Sequence, residues 1–239
     1  MFDLQTIDRS LGMRSVDRPY SYNLRTFHDH YGGRDEFPGK TLVIGSHKDG
    51  LPYMLDLDNP EPGDALIMGT HNGMYALLST MCESACTMNS SQTLGFYIIS
   101  ADGRHRYGVR SSHLLGVESP HERGSGELII ELASVVEQRK SGRELGKTIV
   151  LVIDDLASLM PMLSDYSVYP NLITLIKSGS KSNIWPFVAI NPRDVESNNE
   201  LYKSFRFIML QKDDQPDSSH VFSVLIDKKS KPDVYALIP

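Results

Sequence analysis

The chain has 239 residues, 40% of them apolar and 23% charged, enough for one large domain that hides roughly 70–75% of its unfolded surface without help from a disulfide or metal. Its net charge is −6 and its Lys and Arg are scattered, the longest run being Lys228-Lys229 followed by Lys231, which argues against wholesale binding of nucleic acid, where phosphates demand clustered cations. No apolar stretch approaches the roughly 20 residues of a membrane span and no signal-peptide pattern opens the chain, so the expectation is a cytoplasmic protein or the cytoplasmic part of a membrane-anchored machine.

Residues 1–40 are polar and irregular and read as an extension or linker, packing through Tyr20, Tyr22, Leu24 and Phe27. Residues 41–239 read as the domain. Thr41–Ile44 and Tyr53–Leu57 are expected as strands around a turn at Asp49-Gly50. Ala65–Met68 is a short apolar run that leads into Gly69-Thr70-His71-Asn72-Gly73, and Met74–Met88 has helical spacing through Leu77, Leu78, Met81, Cys82, Ala85 and Met88. Cys82 and Cys86 share one helical face and read as buried thiols. Leu94–Ser100 is a strand, 101–125 a loop, and Glu127–Lys140 an amphipathic helix.

Thr148–Ile153 is the continuous apolar run of a strand buried on both faces. A helix over Tyr169–Gly179 and strands over Phe187–Ile190, Phe205–Leu210, Val221–Ile226 and Val234–Ile238 complete the pattern, with a hairpin turn through Lys228–Pro232. Strands alternating with helices predict βαβ units and a mostly parallel central sheet flanked by helices, with an antiparallel edge formed by the last two strands.

Three stretches carry candidate chemistry. Leu66–Ala76 has the order strand, glycine loop, helix that a phosphate-binding loop requires. In the working motif, G-x-x-x-x-G-K-[ST], backbone amides and a helix N-terminus cradle phosphates, the lysine reaches the β/γ-phosphates and the hydroxyl holds Mg²⁺. Here the candidate nucleotide-binding residues are Gly69, Thr70, His71, Asn72, Gly73, Met74, Tyr75 and Ala76. Ungapped, Tyr75 takes the lysine position and Ala76 the hydroxyl position; with one residue deleted, Met74 and Tyr75 do. No lysine lies between Lys48 and Lys140, so the charge that stabilises a transferring phosphoryl group is missing locally.

The run Thr148–Ile153 ends in Asp154-Asp155, a Walker B pattern: the first acid is a candidate Mg²⁺ ligand, and the second, usually Glu, polarises the attacking water. The strand Phe187–Ile190 ends in Asn191-Pro192-Arg193, where Asn191 stands as a sensor-like residue. Each stretch has a structural alternative, namely a strand–turn–helix, a solvated Asp-Asp turn and a capped strand exit. His28 and His30 have no partner cluster and read as surface residues, whereas His71 is a turn residue that could make a pH-dependent anion contact. Arg104, His105 and Arg106 read as a small basic loop cluster, and Trp185 as a packing anchor. No G-x-S-x-G elbow supports a hydrolase.

In this order the blocks resemble the FtsK/SpoIIIE family of hexameric RecA-like P-loop motor domains, from about residue 40 to the C-terminus. Gly50, Pro52, Asp56 and Leu57 resemble the strand pair ahead of that family's loop. Gly69–Ala76 stands where the family has "GTTGSGKS", and Val152–Met160 resembles "VIDELADLM". The eroded loop and the double Asp are similar to the later ATPase modules of the type VII secretion proteins EssC and EccC, which lie in tandem on one chain. That resemblance implies a RecA-like fold, ATP and Mg as the ligands to test, other ATPase modules as neighbours, a secreted protein as substrate and a hexamer as the assembly. The expected function is a degenerate ATPase module that binds nucleotide weakly or not at all and serves as a structural or substrate-recognition domain. The alternatives are an active translocase of DNA or protein, and a scaffold with no nucleotide in which Tyr75 fills the phosphate position.

Overall fold

The computed structural model describes residues 39–47, 49–102, 107–142, 146–195, 200–212 and 221–236. The expectations for 1–38, including Tyr20, Tyr22, Leu24, Phe27, His28 and His30, and for Arg104, His105 and Arg106, lie outside the described residues.

The ten strands are β1 (Thr41–Ser46), β2 (Pro52–Asp56), β3 (Ala65–Met68), β4 (Leu94–Ile99), β5 (Leu114–Glu118), β6 (Thr148–Ile153), β7 (Ile184–Ile190), β8 (Phe207–Gln211), β9 (Val221–Ile226) and β10 (Lys229–Tyr235). They form one sheet in the order β2-β1-β10-β9-β8-β3-β7-β6-β4-β5. From β8 to β5 all pairings are parallel, and from β8 to β2 all are antiparallel. The helices are α1 (His71–Met88), α2 (Arg123–Lys140), α3 (Leu156–Leu163), α4 (Val168–Ser178) and α5 (Glu200–Lys203). This is the expected α/β fold with a mostly parallel sheet flanked by helices.

Alternation along the central strands divides the core into two. Val150 and Val152 of β6 join Phe96, Ile98, Phe187 and Trp185 on the face that carries α1. Leu151 and Ile153 join Val188 and Ile190 on the opposite face, beneath α2, α3 and α4. This two-sided burial is why Thr148–Ile153 has no polar alternation. Helix α1 is buried almost all round, because β1 packs on it as well: Ser84 Oγ accepts from Val43 N at 2.9 Å and donates back to Val43 O at 3.1 Å. Cys82 and Cys86 are free and buried within it, as their spacing predicts.

Four local expectations change. Residues 101–125 hold strand β5 and the first turn of α2. Helix α3 follows β6 where no helix was expected. The hairpin between β9 and β10 turns at Asp227-Lys228, at φ 50° and 63°, a left-handed pair that matches the twist of the flanking strands; the strand resumes at Lys229. Finally, that hairpin is not at an edge, since β10 pairs with β1 and leaves β2 outermost. Among the described residues no helix is long and apolar enough to cross a membrane.

Candidate functional site

Strand register gathers the candidate residues at the C-terminal edge of the parallel strands, where open α/β sheets place their ligands. Met68 pairs with Ile190 on one side and Leu210 on the other, so Gly69 and Asn191, each one step beyond its strand, stand level with Gln211, the last residue of β8. Ile153 pairs with Ile99, which puts Asp154 next to Ser100.

The connection from β3 to α1 is short. Strand β3 ends at Met68 and α1 begins at His71, with Thr70 as its N-cap. Thr70 Oγ1 accepts from Gly73 N at 3.3 Å, one of the bonds that satisfies the unpaired amides of a helix start. Gly69 N donates to Ile190 O at 3.4 Å. The Thr70 amide donates to Gln211 Oε1 at 2.7 Å, and its hydroxyl donates to the same oxygen at 3.0 Å. A Cβ on either Gly69 or Gly73 would collide with the Gln211 side chain. The Gln211 amide therefore lies over the start of α1, where the helix dipole favours an acceptor oxygen. His71 and Asn72 are exposed in the first turn, Met74 and Ala76 point into the core, and Tyr75 is 37% exposed. Tyr75 lies against the Tyr107 ring, with centroids 5.4 Å apart, rather than in the turn.

Asp154 and Asp155 follow β6 directly, and each has a distinct partner. Tyr107 Oη donates to Asp154 Oδ2 at 2.6 Å. Asp154 Oδ1 is buried with no hydrogen-bond partner among the described residues, as is the neighbouring Ser100 Oγ. Burial, and then the facing Asp154 carboxylate, push the Tyr107 hydroxyl's pKa up, so it remains a donor. Asp155 is the N-cap of α3: its Oδ1 accepts from Ala157 N at 3.1 Å, and Ser158 Oγ donates to its Oδ2. Asn191 caps the short 3₁₀ turn Pro192–Asp194 by accepting from Arg193 N at 3.0 Å, and Arg193 is exposed. Sequence reading missed Gln211 and Tyr107. They lie 141 and 47 residues from the groups they bond, and only the register of β8 on β3 would have brought Gln211 forward.

Mg-ATP does not fit this arrangement as it stands. The Thr70 amide that would face a phosphate oxygen holds the Gln211 oxygen, and one oxygen of the first acid holds a tyrosine proton.

A shallow groove of about 480 Å³ lies at the far end of α3, lined by Pro120, His121, Pro161, Met162, Ser164, Asp165 and Tyr166. Tyr166 is 97% exposed there.

No protein-family model matches the chain, and no curated protein matches it. Solved structures do. The cytoplasmic domain of EssC is 14% identical with a TM-score of 0.69, over 98% of this chain and 50% of that one. EssC (ATPases 2 and 3) from Geobacillus thermodenitrificans is 13% identical at 0.67, over 98% and 48%. Thermomonospora curvata EccC (ATPases 2 and 3), in complex with a signal sequence peptide, is 15% identical at 0.63, over 84% and 41%. The chain thus spans half or less of the length of each of these proteins. Its fold, a mixed and mostly parallel sheet flanked by helices, is that of the ATPase domains of the secretion proteins EccC and EssC.

Proposed function

We propose that the chain is an ATPase-fold module of a secretion or translocation motor that binds nucleotide weakly or not at all and turns it over negligibly. The observation that carries this reading is the engagement of Asp155. Asp155, which the motif would assign to polarising an attacking water, instead accepts from Ala157 N and Ser158 Oγ as a helix cap. The absence of lysine from Gly69–Ala76 supports it, because phosphoryl transfer depends on positive charge at the transferring group. Such a module acts by packing against neighbouring ATPase modules and by presenting surface to a transported protein. The EccC and EssC structures, described as carrying ATPases 2 and 3, motivate the first role, and the peptide bound to EccC motivates the second. The groove that Pro161, Met162 and Tyr166 share with His121, Ser164 and Asp165 offers mixed apolar and polar surface for such recognition. A cytoplasmic location and a hexameric assembly belong to the same reading.

Calorimetric titration of Mg-ATP into the purified chain, with phosphate release followed on the same sample, tests it. The expected result is weak or absent heat and no release. Turnover abolished by Asp154→Ala would establish an active translocase instead.

A further inference from the structure

We propose that Gln211 is a built-in occupant of the phosphate position and that, with Tyr107, it closes the nucleotide site from within. The inference rests on the reading above and concerns the regulation of the same site. Two contacts from separate elements block its two halves. On the phosphate side, Gln211 Oε1 takes the amide and the hydroxyl of Thr70, and the side chain lies so close to Gly69 and Gly73 that a Cβ on either would push it aside. An amide oxygen at a helix N-terminus offers the dipole the same acceptor that a phosphate oxygen would. On the metal side, the Tyr107 hydroxyl holds Asp154 Oδ2, leaving Oδ1 buried beside it.

The backbone beneath Gln211 is fixed. Gln211 pairs with Phe222 of β9, Lys212 N donates to Val221 O at 3.0 Å, and Lys212 Nζ pairs with Asp233 of β10 at 2.5 Å. With its backbone held, the part of Gln211 that must turn to expose the Thr70 amide is the side chain, half-buried at the strand end. Closure is the resting state, and opening replaces one acceptor with another.

The experiment compares the wild-type chain, Gln211→Ala and Gln211→Glu by titration with inorganic pyrophosphate, each checked for an unchanged far-ultraviolet spectrum and thermal midpoint. Gln211→Ala is expected to bind pyrophosphate at least tenfold more tightly than the wild type. Gln211→Glu keeps an acceptor over the helix start and adds negative charge, so it is expected to bind no better than the wild type. Adding Tyr107→Phe to Gln211→Ala frees Asp154, and a further gain that requires Mg²⁺ is expected. A folded Gln211→Ala chain with wild-type affinity overturns the inference, whether that shared affinity is zero or measurable. Phosphate release by the wild type, by contrast, overturns the proposed function and is scored separately.

Discussion

Asp64 gives the sharpest stability prediction. It precedes β3 at the edge of the sheet opposite the site, is 4% exposed, and its Oδ2 has no hydrogen-bond partner among the described residues. Burial raises its pKa from 3.8 to about 7, against smaller opposing effects from a backbone hydrogen bond and the charge of Arg206. Arg206 relieves it only partly, because its guanidinium is also paired with Glu61 at 2.8 Å and Asp227 at 2.6 Å. The folded pKa lies above the unfolded one, so the folded chain holds the proton more tightly. The associated stability is fully present below about pH 3.8 and is lost as pH rises through about 7. At ~1.4 kcal/mol for each tenfold change in proton affinity, the whole effect is about 4 kcal/mol, of which about 2 kcal/mol disappears between roughly pH 5.5 and pH 8.5.

Asp64→Asn keeps the shape and removes the titration. Urea unfolding of the wild type and the variant at those two pH values is therefore expected to show the variant gaining about 2 kcal/mol on the wild type at the higher pH, or ~4–8 °C in the thermal midpoint. Arg206→Met should raise the Asp64 pKa further and move the wild-type decline to higher pH. If the difference between Asp64→Asn and the wild type is the same at both pH values, the carboxyl is ionised throughout and the reasoning fails.

Three further outcomes follow from the geometry. Asp155→Ala removes the cap of α3 and should destabilise the chain by about 1 kcal/mol in equilibrium denaturation, whereas Asp155→Ser, which retains a cap acceptor, should restore most of that. Gly45→Ala places a methyl group against the Tyr235 carbonyl, where β1 meets β10, and should cost about 3 kcal/mol by overpacking backbone that cannot give way. Gly73→Ala pushes the Gln211 amide off the start of α1. Its stability should stay within about 1 kcal/mol of the wild type, because the gain in helix propensity offsets the lost hydrogen bonds, and hydrogen exchange at the Thr70 amide should accelerate.

The elements that sequence revealed are those with one-dimensional signatures. Helix α1 was visible in the spacing of Leu77, Leu78, Met81, Cys82 and Ala85, and β6 in an apolar run that only double-sided burial explains. The elements it hid depend on neighbours distant in the chain. Strand β5 is a half-exposed edge strand interrupted by Gly116, so it lacks both alternation and an apolar run. The first turn of α2 contains Gly124 and Gly126, poor helix formers. A side chain at Gly126 would press on Met162 and Val168, and one at Gly124 would displace the Glu118 carboxylate. Helix α3 is only eight residues long with Pro161 inside it, and its signal was absorbed into the paired acids that precede it. The site divides in the same way. Its glycines and acids were legible as a motif, while Gln211, which reaches Thr70 through the register of β8 on β3, and Tyr107, which reaches Asp154 from a turn 47 residues away, were not.

The position of β10 has a consequence for how the chain acquires its structure. The β1–β2 hairpin is formed ahead of β3, yet it joins the rest of the sheet through β10, which follows every other strand described. Until β10 arrives, the hairpin has α1 to rest on through Ser84 and Val43, and an open edge on each side. During synthesis the parallel half can assemble from β3 to β8 while the antiparallel half waits for the final strand. A chain interrupted before Lys229 would thus be left with a folded parallel sheet and a hairpin held by α1 alone, exposing strand edges of the kind that invite pairing with another molecule.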